Sequence, residues 1–233
     1  MTARTTVRSS ATLATRVYEQ LRREIIGGQH PPGAKLHIQS LCNRLEVGLS
    51  PVREALSRLS HCGLVQHEDQ RGFSVSHLDE DHLNELIRTR SWFNEIGLRE
   101  SILHGGEEWE EAVVLSIHRL SKLPRYLSED DMYAVNPAWE TAHRTFHTKL
   151  ISACRSRWLI EYCEQLFDAS EFYRNVARVT GLKLGLSLNG HEAIAKAALD
   201  RDADTAVRLL NSHFLVTAER VRESFGSGLV DAR

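Results

Sequence analysis

The stretch Val47-Gly48-Leu49-Ser50-Pro51-Val52-Arg53-Glu54-Ala55-Leu56 reads as a tight turn running into a helix that presents an arginine near its start. Ser50 is expected to cap that helix by accepting from its orphan backbone N–H groups, and Pro51 suits the first helical position, where a missing donor leaves nothing unpaired. Val52, Ala55, Leu56 and Leu59 recur at helical spacing and form an apolar stripe, with Arg53, Ser57 and Arg58 left on the other surface. Gly63 closes the helix as a left-handed C-terminal residue. Such a helix has the form of one that enters a DNA groove.

Outward from it, Leu13, Val17, Leu21 and Ile25 recur every four residues and predict a first helix over 13–26, ended by Gly27-Gly28. The loop His30-Pro31-Pro32-Gly33 follows, then a short helix with Leu41 and Leu45 inward, and the Gly48 turn completes helix-turn-helix spacing. Past Gly63, Leu64-Val65-Gln66-His67-Glu68 and Phe73-Ser74-Val75-Ser76 read as two short strands, joined by Asp69-Gln70-Arg71-Gly72 into a hairpin wing. Residues 11–76 thus read as a winged DNA-binding domain. Within it Arg53 is the first choice for base reading, since its fork matches guanine O6 and N7, a contact worth roughly 1–3 kcal/mol of discrimination. Ser50 and Pro51 lie at the helix start, where hydroxyl and N–H groups meet phosphate, and Arg44 and Arg58 lie on flanking surfaces. Arg71 and Gly72 at the wing tip could approach the neighbouring minor groove. The plainer alternative for each arginine is a solvated surface charge.

From Asp79 onward no strand pattern appears, only amphipathic segments over roughly 79–104, 107–123, 137–153, 156–179, 187–200 and 202–224, an all-helical domain over 79–224. Breaks fall at Gly105-Gly106, Pro124, Glu129-Asp130-Asp131, Gly181 and Gly185, and residues 1–10 and 226–233 lack periodicity and are expected to be disordered. The expected fold class is mainly α: a winged helix-turn-helix followed by a helical bundle. With 233 residues and 42% hydrophobic content, the chain can bury two modest cores. The net charge of −2 conceals an asymmetry: residues 1–75 hold 10 Lys and Arg against 6 Asp and Glu, whereas the remainder holds 19 against 25. Only the first part suits a phosphate backbone. No run approaches the roughly 20 apolar residues of a membrane span, and the polar start lacks a secretory signal's apolar centre, so the expected compartment is the cytoplasm, with no membrane partner. Cys42, Cys62, Cys154 and Cys163 show neither metal-type nor disulfide-framework spacing and are expected to be reduced, buried small apolar residues.

His143 and His147 stand four apart on a segment that also carries Ala142, Phe146 and Leu150, so on a helix their rings project side by side and can chelate one divalent ion. His191 and His213 lie on separate predicted helices and could close a site inside a bundle. Between the first pair stands Arg144-Thr145-Phe146, without the glutamate general base of H-E-x-x-H, and no activated nucleophile motif occurs elsewhere, which argues against an enzyme. The remaining histidines, His30, His37, His61, His67, His77, His82, His104 and His118, receive no role.

Tyr18-to-Ile26, Pro31-Pro32-Gly33, Pro51-Val52-Arg53-Glu54-Ala55-Leu56, Gly63-Leu64-Val65 and Arg71-Gly72-Phe73 resemble, in order and spacing, the amino-terminal signature of the GntR family of bacterial transcription regulators. Phe146-His147, His191 and His213 are similar to the helical FCD-type effector domain of its FadR subgroup; the resemblance covers about residues 12–223. Leu49, Trp109-Glu110 and Ala153-Cys154 resemble the CsiR-like branch, which serves glutarate and 2-hydroxyglutarate catabolism. Many members carry arginine where this chain has Leu49, so one guanine reader is missing while Arg53 keeps its place. The resemblance implies a metal held by an Asp-x3-His pair and two later histidines; His147, His191 and His213 match the three histidines, and His143 stands in place of the aspartate. Loss of that negative charge favours imidazole-accepting metals such as zinc or nickel, and leaves open whether His143 ligates. A metal with free positions can hold a carboxylate or 2-hydroxy acid, and Arg90 or Arg174 could fork the second end of a dicarboxylate, with a structural ion pair as the alternative for each. The implied function is a homodimeric repressor of a double-stranded DNA operator, released by a small organic acid; a metal-responsive regulator without organic ligand is the alternative.

Overall fold

The recognition segment forms its helix two residues earlier than expected. In the computed structural model, which describes residues 12–127, 135–179 and 188–225, the chain divides into two units, Met1–His77 and Leu78–Arg233. The breaks expected at Glu129-Asp130-Asp131, Gly181 and Gly185 and both terminal segments lie outside the described residues.

In the first unit, Thr12 caps α1 (Leu13–Ile26) by accepting the Thr15 N–H, and α2 (Ile38–Leu45) and α3 (Leu49–His61) follow. Gly48, not Ser50, is the residue before α3, and no side chain caps it. Pro51 is tolerated because the first four N–H groups of a helix lack intrahelical acceptors. The turn from α2 is made by Glu46 in the left-handed region at φ 53°. At the other end Gly63, at φ +73°, reverses the chain: its N–H reaches the Ser60 carbonyl and that of Leu64 reaches Leu59, a Schellman closure. α1 packs on α3. Leu21, Ile25, Val52, Leu56 and Leu59 are fully buried there, each contributing roughly 1.5–3 kcal/mol relative to exposure.

β1 (Val65–Glu68) and β2 (Gly72–Val75) pair antiparallel with Val65 opposite Val75 and Glu68 opposite Gly72. A pairing absent from the sequence reading lies on the far side of β2. Lys35 bridges Ser74, and Leu36 N–H and Val75 N–H bond to the Phe73 and Ala34 carbonyls, so residues 34–36 serve as a third short strand.

The second unit consists of α4 (Glu80–His104), α5 (Glu107–Ser121), α6 (Pro137–Leu150), α7 (Arg157–Val179), α8 (Leu188–Leu199) and α9 (Ala203–Phe225), all the helices that the periodicity called for. Asp79 caps α4, accepting the His82 N–H at 2.6 Å, and Asn136 caps α6 ahead of Pro137. The α4–α5 turn needs Gly105, since a Cβ there would come within 2.5 Å of the Trp109 ring. Arg201, between α8 and α9, stacks over Trp109 and donates to the Ile102 and Gly105 carbonyls and to Glu110, closing the C-terminus of α4. α4 packs on α7 and α9, α8 on α9, and α5 on α6. Leu98, Val113, Leu120, Phe146, Ile194 and Phe214 are fully buried between them. All four cysteines are free thiols, but Cys62 is only half-buried, unlike the other three, because it follows the last turn of α3 near Tyr18. Burial pushes the Cys163 thiol up to about 12. Among the described residues no helix is long and apolar enough to cross a membrane.

Candidate functional site

Burial of Trp139, Phe146 and Leu150 fixes the inward face of α6, and that face carries His143 and His147 into the bundle. His191 from the start of α8 and His213 from α9 meet them. The four imidazoles each offer a nitrogen, all within 4.8 Å of one another. His143 Nε2 and His147 Nε2 are 3.1 Å apart. His143, His147 and His191 are buried, and His143 stacks flat on Trp139 at 4.7 Å. Burial, and after it the neighbouring imidazoles and arginines, hold His143, His147 and His213 well below the ordinary histidine value. Burial, then Arg125 and Arg174, lower His191 to about 4. The cluster is thus neutral at pH 7, the form in which imidazole donates a lone pair.

Several ring nitrogens of the cluster lack a hydrogen-bond partner. Nδ1 of His143 and His147 and both nitrogens of His191 are buried without a hydrogen-bond partner, and each such orphan costs about 1–3 kcal/mol. A divalent ion that bonds imidazole at about 2.0–2.1 Å holds its nitrogens about 3–4 Å apart, close to the spacing seen, so the donor set fits a cation.

Around the cluster the structure gathers four arginines. Arg90 is buried on α4, its guanidinium 3.9 Å from the Phe214 ring centre, and its Nε has no partner. Burial and Arg174 push it well below the usual arginine range. Arg174 is equally buried and donates to Glu140 Oε1 at 3.4 Å. Arg90, Arg174 and Arg144 all lie over the Phe167 ring, at 5.2, 5.1 and 4.4 Å. Arg144 is held by Asp168 and Glu171, both at 2.6 Å. Arg125 lies 4.8 Å over Trp139. The sequence reading proposed Arg90 and Arg174 but missed Arg125, Arg144 and Glu140. Glu140 had a legible signal, three residues before His143 on one helix face; the others converge only through packing.

In the winged unit, Arg53 is exposed on α3, and among the described residues no carboxylate engages it. Ser50 is exposed beside it and Pro51 half-buried, and Leu49 sits 52% exposed at the helix start. Arg71 and Gly72 are exposed at the wing tip, with Arg71 bonded to Glu68 at 3.2 Å. Arg44 and Arg58 are engaged within the unit. Arg44 forks Glu24 of α1 with two bonds of 2.7 Å, which lowers that buried carboxyl to about 2. Arg58 stacks 4.2 Å over Tyr18.

Residues 13–75 match the profile of bacterial regulatory proteins of the gntR family, and residues 85–215 match that of the FCD domain. An uncharacterized HTH-type transcriptional regulator, BphR of Paraburkholderia xenovorans, is 39% identical over 88% of this chain and 84% of its own length. The HTH-type transcriptional repressor GlaR of Escherichia coli is 31% identical over 89% of this chain and 94% of its own. Among solved structures, a GntR transcriptional regulator of Rhodococcus sp. RHA1 superposes with a TM-score of 0.69 at 25% identity, covering 90% of this chain and 97% of that one. Escherichia coli McbR/YncC shares the fold, with a TM-score of 0.75 at 17% identity over 93% of this chain and 100% of that one.

Proposed function

Because the chain belongs to the gntR family of bacterial regulatory proteins and carries an FCD domain, we propose that this DNA-binding transcriptional regulator is a homodimeric repressor, released by a small organic acid bound beside a divalent metal in its helical domain. The observation that carries the reading is the meeting of four neutral imidazoles with Arg90 and Arg174 in one buried region.

His143, His147, His191 and His213 would hold the ion, and an all-imidazole set favours zinc or nickel. When bound, the metal supplies a Lewis-acid anchor for a carboxylate or 2-hydroxy oxygen. Arg90 and Arg174 receive the far carboxylate of a dicarboxylate, which supplies the negative charge that four neutral donors cannot. Three cationic centres would otherwise share a low-dielectric pocket.

At the DNA end, residues 11–76 form the operator-reading unit and 79–224 the effector and dimerisation unit. Arg53 forks guanine from the major groove, with Ser50 and Pro51 at the backbone and Arg71 and Gly72 in the minor groove. Arg44 and Arg58, their forks engaged by Glu24 and Tyr18, add positive charge near phosphate. Support for a dimer comes from an apolar row on the second unit, where Trp92, Ile96 and Leu103 of α4 and Trp158 and Tyr162 of α7 are exposed, as interface patches are. Repression is supported by the likeness to the repressor GlaR. Release follows if the acid prefers one arrangement of the dimer; a preference of about 100-fold corresponds to about 2.7 kcal/mol.

Gel retardation of a labelled fragment from upstream of the chain's own gene tests this, using chelator-treated protein with added zinc or nickel and a panel of dicarboxylates and 2-hydroxy acids. Sequence-specific retardation relieved by one acid only when metal is present is expected. Release by metal alone would establish the metal-responsive alternative, and absence of specific retardation would overturn the regulator's proposed operator binding.

A further inference from the structure

We propose that Glu140 is a positioning residue for His143, fixing which imidazole nitrogen faces the cluster; the inference rests on the metal-binding reading above. Glu140 and His143 stand three apart on α6 and share its inner face. The carboxylate divides its two oxygens. Oε1 accepts from Arg174 Nη2 at 3.4 Å. Oε2 is buried with no hydrogen-bond partner, and 3.6 Å away lies His143 Nδ1, also buried and also without one.

Two orphaned polar atoms that face each other a few tenths of an ångström beyond bonding distance are each other's natural solution, and a small turn of the glutamate side chain closes the gap. Only the tautomer with its proton on Nδ1 can donate to that oxygen. Nε2 then carries the lone pair, and Nε2 is the atom that stands 3.1 Å from His147 Nε2 at the centre of the cluster. Trp139, stacked at an interplanar angle of 15°, restrains the plane of the same ring. Glu140 thus sets the tautomer and Trp139 the tilt. A carboxylate on the outer nitrogen also raises the basicity of the inner one, as in carboxylate–histidine–metal arrangements. The other oxygen of the same group anchors Arg174, so one carboxylate ties the histidine side of the pocket to its arginine side.

The test is a Co2+ titration of full-length, chelator-treated protein, read by the visible d–d bands of the bound ion, for wild type, Glu140→Gln, His143→Ala, the double variant and Arg174→Gln. Glu140→Gln is expected to weaken Co2+ binding about 10–100-fold and to change the band positions, with the helical circular dichroism retained. In the His143→Ala background the same change should add less than about twofold, since Glu140 acts through His143. Arg174→Gln, which removes the other partner of the carboxylate, should leave Co2+ affinity at or above wild type. A second readout needs no metal: long-range 1H–15N spectra should show His143 protonated at Nδ1 in wild type and shifted towards Nε2 in Glu140→Gln. Unchanged affinity and tautomer in Glu140→Gln, an undiminished loss in the His143→Ala background, or the same loss in Arg174→Gln would each overturn the inference. Failure of wild type to bind Co2+ would overturn the metal-binding reading itself, and this inference with it.

Discussion

Mild acid should destabilise the metal-free helical unit, and the share that His191 contributes can be worked out. Burial, followed by Arg125 and Arg174, lowers its proton affinity from the ordinary 6.5 to about 4. The folded protein therefore keeps this ring neutral where the unfolded chain would protonate it, so the associated stability is complete above pH 6.5 and is lost as the pH falls towards 4. At about 1.36 kcal/mol for each unit of displacement, the loss is about 2 kcal/mol at pH 5 and about 3.4 kcal/mol well below pH 4. His143, His147 and His213, depressed by burial and by one another, act in the same direction. Glu171 opposes them: burial raises its pKa, so it favours the folded state as the pH drops. Urea unfolding of chelator-treated protein at pH 7 and pH 5 measures the difference. Tryptophan fluorescence is the suitable signal, because Trp92, Trp109, Trp139 and Trp158 all lie in the second unit. Replacement of His191 by Gln should remove about 2 kcal/mol of the change between the two pH values, whatever it does to absolute stability. Zinc at about a hundredfold above its dissociation constant should add about 2.7 kcal/mol at pH 7, and less at pH 5, where protons compete for the imidazoles. An equal loss between pH 7 and pH 5 in wild type and His191→Gln would refute the reasoning.

Arg53→Ala should weaken specific operator binding by about 1–3 kcal/mol in competition gel retardation while barely changing affinity for random DNA; equal retention of specific binding would remove Arg53 from base reading. Arg44→Ala should lower the stability of the winged unit by about 1–3 kcal/mol, measured by hydrogen exchange of α1 amides, because Glu24 is left buried without its principal partner. Arg44 holds that carboxyl near 2 from an ordinary 4.5, so the pair's contribution persists above pH 4.5 and fades as the pH falls through 2. Trp92→Glu together with Trp158→Glu should convert the proposed dimer to a monomer in light scattering at micromolar concentration, with helical content retained; a persistent dimer would place the interface elsewhere.

The helices were legible because their cause is local. A four-residue apolar period acts within one turn, and the caps at Thr12, Asp79 and Asn136, which the periodicity alone did not name, fix the N-terminal boundaries of α1, α4 and α6. Where the reading slipped, the reason was also local but ambiguous. Ser50-Pro51 has the chemistry of a helix start, yet Leu49 reaches helical geometry first, after an extended Gly48, since nothing in the first turn demands a cap or forbids proline. The strand pairing of residues 34–36 is too short to show a period of two, and only β2, nearly forty residues later, reveals it.

The candidate site divides in the same way. The spacing of His143 and His147 was readable from α6 alone, but their meeting with His191 and His213 came from likeness to a family, because helix packing, not spacing, brings those rings within 4.8 Å. Arginines show the limit most sharply. Arg44, Arg53 and Arg58 are indistinguishable by type and all lie near one predicted helix, yet Glu24 on α1 takes the first, Tyr18 on α1 takes the third, and Arg53 is left exposed. The same holds in the second unit, where Arg144 is neutralised by two carboxylates of α7 while Arg90 is buried with an unpartnered Nε. What a cationic side chain can do for a ligand depends on whether its charge is already answered, and that answer comes from residues on another helix. Sequence periodicity chooses the face a residue occupies, whereas the packing of faces chooses its partner.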